Sequence, residues 1–221
     1  MHRKRQVFAI ALMSSSKEDI MKANKKESAI LRMVELAILT AVVLVLQLTG
    51  TAIKLTALGT SISLVLIPIV LGAVLLGPAA GAWLGGVFGC VTYLMGVFGM
   101  DGFTFILFTE HPLLTAFVCF GKGIAAGFCA GWAYRLLCRK NNTVAMFTAA
   151  AVVPVVNTGL FILGALLMSE TLSANFVADG STVLYFLVIV CAGVNFLLEL
   201  ALNLIVTPSI SAVVQAVKKR M

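Results

Sequence analysis

The chain contains six long apolar stretches, and their length is the feature that most limits how it can fold. They span residues 30–50, 62–76, 78–98, 112–135, 144–168 and 183–207. A transmembrane helix needs about 20 consecutive apolar residues to cross the hydrocarbon core of a bilayer. The stretches are continuous, whereas the strands of a membrane barrel alternate over segments of about 10 residues. The sequence therefore predicts an all-α integral membrane protein with six transmembrane helices.

The composition supports the membrane class. Hydrophobic residues make up 61% of the 221 residues and charged residues 11%, so a water-soluble fold could not keep this much apolar surface inside. The second and third stretches are separated only by Gly77 and Pro78. Because proline suits the first position of a helix, we expect the third helix to start at Pro78 and the second to be short or tilted.

The basic residues orient the predicted bundle. Of the sixteen Lys and Arg residues, eight precede the first crossing, three lie between the fourth and fifth, and three end the chain. The opposite loops carry four acidic residues and one base, Lys54. The positive-inside rule then places both termini in the cytoplasm of a cell-membrane protein. The net charge of +7 reflects this topology and contact with anionic lipid, not nucleic-acid binding.

The N-terminal region divides the chain into two parts. Residues 1–28 form a basic tail that we expect to be cytoplasmic, and residues 29–221 form the membrane domain. HRKR followed by QVFAIALM also resembles a short signal peptide, so it stays open whether the first twenty residues belong to the mature chain.

Motifs for catalysis do not occur in the sequence. FGKGIAAGF contains a Gly-Lys pair, but it lacks the earlier glycine and the following Ser or Thr of a phosphate-binding loop. The five cysteines show no CxxC spacing, and the sequence contains no HExxH or GxSxG motif. We therefore predict no catalytic residue, no metal site and no cofactor on this chain. Transport or binding is the favoured functional class.

Small residues recur at four-residue spacing in three helices. They are Gly77, Gly81, Gly85 and Gly89 in the third, Gly123, Gly127 and Gly131 in the fourth, and Ala37 and Ala41 in the first. Such strips let helix backbones approach closely in lipid. Packing within the bundle explains the glycines most simply. The alanines of the first helix would also serve as a contact surface for a partner subunit.

Three motifs make the chain resemble the substrate-binding S component of energy-coupling factor (ECF) vitamin transporters over residues 28–218. They are AILTA in the first helix, IPIVLGAVLLGPAAGAWLGGVFG across the second and third, and VVNTGLFILGALLM in the fifth. The resemblance implies that Ala37 and Ala41 dock on a transmembrane coupling subunit, which sits on two ATPases. It also implies a substrate pocket in the outward half of the bundle.

Polar residues in the predicted helices are the candidates for that pocket, because such residues usually face a partner or a cavity. Helix six has Asn195, Glu199 and Asn203 on one face, although Asn203 lies too far inward for an outward pocket. The other candidates are Asn157 and Thr158 in helix five, Lys122 in helix four, Gln47 near the outer end of helix one, and the loop base Lys54.

The two buried charges, Lys122 and Glu199, allow two interpretations. They would neutralise each other as a structural pair between helices four and six, because an unpaired charge at the membrane centre costs about 2.5–3.5 kcal/mol. Alternatively, the Lys122 ammonium would hold the carboxylate of an acidic vitamin. Lys54 would then help to draw the anion in, unless it is simply a solvated loop residue.

These observations lead to one functional hypothesis and one alternative. The hypothesis is a transport subunit that binds a water-soluble vitamin or precursor outside the cell for ATP-driven uptake by its partners. NTGLFILG in helix five, together with the base in helix four, is most similar to the pantothenate-type branch, while riboflavin and folate types remain open. The alternative is a small structural or assembly protein of the membrane, whose glycine strips need no pocket.

Overall fold

The protein is described by a computed structural model that covers residues 29–50, 64–177 and 180–218. All the regular structure in these three ranges is helical. Five of the helices are long and apolar enough to cross a membrane, which agrees with the predicted all-α membrane class. The predicted N-terminal tail with its signal-peptide alternative, and Lys54, lie outside the described residues.

Four of the predicted crossings match helices to within two residues at each end. These helices are α1 (Ala29–Gly50), α3 (Pro78–Val97), α5 (Pro112–Leu137) and α6 (Asn142–Leu166), with α2 (Leu66–Leu75) between the first two. Two short helices, α4 (Gly102–Glu110) and α7 (Ser169–Asn175), connect long ones. As predicted, α3 begins with Pro78, directly after Gly77.

The second predicted crossing is short, as the sequence indicates from the adjacent Gly77 and Pro78. Helix α2 has ten residues, which span about 15 Å, only half of the hydrocarbon thickness. It ends before Gly77, whose φ of 102° and ψ of −178° fit a backbone region that is essentially restricted to glycine. Residues 62 and 63 of the prediction lie outside the described residues. A count of six crossings therefore stays a prediction.

The last crossing is longer than predicted and irregular. A continuous helical segment runs over Val183–Val217, ten residues beyond the predicted end. It consists of a first turn α8 (Val183–Tyr185), a π-helical segment (Phe186–Gly193) and α9 (Val194–Lys218). We ended the prediction before Pro208, but that proline lies inside α9. Proline is tolerated in membrane helices because neighbouring groups bond the freed backbone.

Helices α3 and α5 are held together by their glycine strips. A β-carbon added at Gly81 would overlap the carbonyl of Gly127, and one added at Gly85 would overlap the carbonyl of Gly123. Backbones this close gain van der Waals contact that larger residues would prevent. The glycine strips of these two helices therefore pack against each other inside the bundle.

The bundle has a basic end and an acidic end. The basic end carries Arg135, Arg139 and Lys140 around the α5–α6 turn, and the acidic end carries Asp101, Glu110 and Glu170 around α4 and α7. Nearer the basic end, a large cluster that includes Val43, Ile69, Leu84, Ala130, Met146 and Val214 forms the basic-end core. The smaller acidic-end core consists of Phe103, Leu107, Ala165, Met168, Leu172, Phe186, Leu187 and Cys191.

Candidate substrate-binding site

A layer that belongs to neither core separates the two cores on three helices. Neither core, nor the apolar residues packed against it, includes residues 119–125 of α5, 157–160 of α6 or 192–203 of the last helix. Five of the polar residues singled out in the sequence fall within these intervals: Lys122, Asn157, Thr158, Asn195 and Glu199. A sixth, Asn203, ends the last interval and borders the basic-end core at Leu204, so it lies outside the level that the other five share. The fold thus brings residues from three separate segments to one level of the bundle. We call this level the polar layer.

Lys122 occupies the polar layer between α3 and α6. Its side chain is half-buried, and its Nζ lies 5.0 Å from the ring centroid of Phe161 and 5.7 Å from that of Phe88. A cation within about 6 Å of a ring centroid is attracted by the negative face of the ring. The neighbours that the structure gives this ammonium are therefore two aromatic rings.

Asn157 is the most buried polar side chain of the layer on α6. It is 6% exposed, and its Oδ1 has no hydrogen-bond partner in the part of the chain that the structure describes. Phe161 follows one helical turn later on the same face, so the amide lies next to the ring that holds the Lys122 ammonium. Thr158, the neighbouring residue, is half-buried.

The last helix brings Asn195 and Glu199 to the polar layer. Asn195 is half-buried and Glu199 is only 5% exposed. Asn195 lies two residues and Glu199 six residues after the end of the π-helical segment, whose wider turns change the direction in which later side chains project. Asn203 is 1% exposed and donates from Nδ2 to the Glu199 carbonyl oxygen over 2.8 Å. That amide is thus held by its own helix, beside Leu204, which packs on the basic-end core.

Gln47 lies apart from these residues, at the contact between α1 and α3. Its side chain is 8% exposed, and Nε2 donates to Thr92 Oγ1 over 3.2 Å and approaches Met95 Sδ at 4.0 Å. These bonds run to α3 rather than to another predicted site residue. Gln47 therefore joins two helices in this structure.

Ala37 and Ala41 are both exposed on α1. The opposite side of the helix buries Leu39, Val43 and Gln47, which are spaced four apart and so form one narrow stripe. Most of the apolar surface of α1 is therefore not covered by the rest of the protein, since only 11% of its most apolar stretch is buried. The alanines consequently face away from the bundle.

An aromatic chain that sequence reasoning missed joins the polar layer to the acidic-end core. Phe161 lies 5.8 Å from Phe103 of α4, Phe103 lies 5.1 Å from Phe176, and Phe176 lies 5.9 Å from Phe186, all between ring centroids. Phe161 thus touches both the Lys122 ammonium and this chain. The sequence offered one sign of this role for Phe161: it follows Asn157 by four residues, which places both side chains on one face of α6.

Across the described residues, no three His, Cys, Asp or Glu side chains cluster as a metal ion would require. Cys119 and Cys191 are buried, and none of the five cysteines is in a disulfide.

The comparison with protein families decides the class. The family model described as "ECF transporter, substrate-specific component" matches residues 31–211. The chain belongs to this family. It is therefore an S component, a substrate-binding transport subunit of a multi-pass membrane type, and the resemblance found in the sequence is confirmed. A search of the curated proteins finds no match.

Proposed function

We propose that this S component binds an anionic, water-soluble vitamin or vitamin precursor in the polar layer. The single observation that carries the proposal is Lys122, a cation within a membrane helix whose neighbours are two phenylalanine rings. A charge at this depth costs about 2.5–3.5 kcal/mol on insertion scales. Cation–π contacts return roughly 0.5–2 kcal/mol, so a bound carboxylate would offset much of the rest.

The first candidate substrate is pantothenate, which carries one carboxylate. Folate is also anionic, whereas riboflavin has no carboxylate and fits a basic residue less well. The remaining candidates, Asn195, Glu199 and Thr158, would then bind uncharged polar groups or shape the layer around them. Gln47 has the weakest case, because it already bonds to α3. Lys54 keeps its proposed role of drawing the anion toward the site.

The direction of transport in the proposal follows from charge. With the basic end in the cytoplasm, both termini would be cytoplasmic and the acidic end would face the outside of the cell membrane. Lys122 lies ten residues, or about 15 Å, after the start of α5, so an outside molecule would reach it through the acidic half. A coupling subunit docked on Ala37 and Ala41, with two ATPases, would drive release inside.

The alternative of a small structural or assembly protein explained the glycine strips without a pocket. Those of α3 and α5 pack against each other inside the bundle, so they fit either function. The family match is what favours a substrate-binding transport subunit.

Mass spectrometry of the small molecules released from the purified, mildly extracted protein tests the proposal. We expect a vitamin-sized carboxylate in the wild-type protein and much less of it in an identically purified Lys122→Met variant. Equal amounts in both samples, or an uncharged molecule as the main ligand, would contradict the role of Lys122.

A further inference from the structure

The amide of Asn157 has an unused hydrogen-bond acceptor in a buried position. Its side chain is only 6% exposed, and Oδ1 accepts no hydrogen bond from any of the described residues. A buried acceptor without a donor costs free energy, which is why nearly all such groups in folded proteins are paired. Within the described residues, the Asn157 Oδ1 therefore has no donor although its buried position calls for one.

Asn203 provides a comparison within the same protein. It is also buried, and its Oδ1 is likewise without a partner in the described residues, but its Nδ2 donates to the carbonyl of Glu199 one turn earlier. That hydrogen bond fixes the Asn203 side chain against the backbone of its own helix, α9. No hydrogen bond of this kind explains Asn157 within α6.

The residues around Asn157 indicate which kind of molecule would donate a hydrogen bond to its Oδ1. Val156 packs on the basic-end core and Phe161 on the acidic-end core, so Asn157 stands at the boundary of the polar layer. Phe161 also contacts the Lys122 ammonium. A small molecule whose anionic group meets Lys122 would thus extend past the Asn157 amide within about one helical turn.

We infer that Asn157 accepts a hydrogen bond from the substrate and selects for a donor at that point. The inference rests on the proposed function and narrows the substrate class to molecules that combine an anionic group with a hydroxyl or amide N–H a few bonds away. Anions that only accept hydrogen bonds would leave Oδ1 unpaired. A site that bonds a substrate O–H or N–H strongly rejects analogues without it.

The test compares wild type with Asn157→Leu, which has a similar volume and no polar atoms. Thermal unfolding of the ligand-free proteins in detergent is one measurement, and calorimetric titration with pantothenate, folate and riboflavin is the other. Asn203→Leu is the matched control, because it removes a buried amide outside the proposed site. If Asn157→Leu does not fold, Asn157→Ala removes the same acceptor without branching.

We expect Asn157→Leu to unfold at the same temperature as wild type or higher, and to bind pantothenate at least about tenfold more weakly. Asn203→Leu should unfold at a lower temperature and keep its affinity. Unchanged affinity in Asn157→Leu, or a fall in its unfolding temperature as large as that of Asn203→Leu, would overturn the inference. If wild type binds none of the three vitamins, the proposed substrates fail, and the unfolding comparison alone decides the role of Asn157.

Discussion

At the scale of single residues, the charge of Lys122 leads to a prediction about affinity. The side chain places an ammonium between Phe88 and Phe161, where a carboxylate would make a charge-assisted hydrogen bond. Lys122→Met keeps most of the side-chain length and removes the charge. Losing such a bond costs about 1.5–3 kcal/mol, so we expect pantothenate to bind roughly 10- to 150-fold more weakly by titration calorimetry.

The double variant Lys122→Met with Glu199→Gln separates this role from a structural one. If Lys122 only neutralises Glu199, the double variant carries no lone charge, and it should recover both folding and affinity. If Lys122 contacts the ligand, the double variant should stay as weak as Lys122→Met. Recovered affinity would therefore leave Lys122 as a structural residue.

At the scale of elements, the contact between α3 and α5 leads to a prediction about stability. A β-carbon at Gly85 would overlap backbone atoms of Gly123, which cannot move aside as a flexible side chain would. We expect Gly85→Ala to lower the free energy of unfolding by about 1–3 kcal/mol, the usual cost of overpacking. Reversible unfolding in detergent micelles measures this change.

Gly121 on α5 offers the matched control. A β-carbon there meets no atom within 4 Å. Because alanine is favoured over glycine in a helix interior, Gly121→Ala should leave stability unchanged or raise it by up to about 1 kcal/mol. Equal losses in the two variants would contradict the role of the close approach of α3 and α5, because a β-carbon at Gly121 meets no protein atom.

At the scale of the whole molecule, the exposed side of α1 leads to a prediction about assembly. Ala37 and Ala41 face away from the bundle, while the polar layer lies inside it. We expect Ala37→Trp or Ala41→Trp to block copurification of a coupling subunit, because the added ring prevents the close helix contact that small residues allow. Substrate affinity should remain at the wild-type value.

Val42→Trp controls for added bulk on α1. Val42 is exposed as well, but it lies about 100° around the helix from Ala41. This variant should copurify with the coupling subunit as wild type does. A normal yield of the complex with Ala37→Trp and Ala41→Trp would contradict docking on the alanines.

The sequence by itself determined the membrane class, the resemblance to S components and the bounds of most long helices. Four crossings were predicted to within two residues, since hydrophobic length and the prolines at 78 and 112 act locally along the chain. The last crossing was predicted ten residues too short for the opposite reason. Helix α9 continues through Pro208, and membrane helices tolerate proline because groups distant in the chain can bond the freed backbone.

The tertiary structure decided which polar residues have partners. Gln47, predicted for the pocket, bonds to Thr92 across the α1–α3 contact, while Asn157 keeps an unpaired acceptor in the described part of the chain. The sequence identified Lys122 but not its two rings, because Phe88 and Phe161 lie 34 and 39 positions away and meet it only when three helices pack. Apolar length is a property of each segment, whereas hydrogen-bond and charge pairing depend on residues distant in the chain.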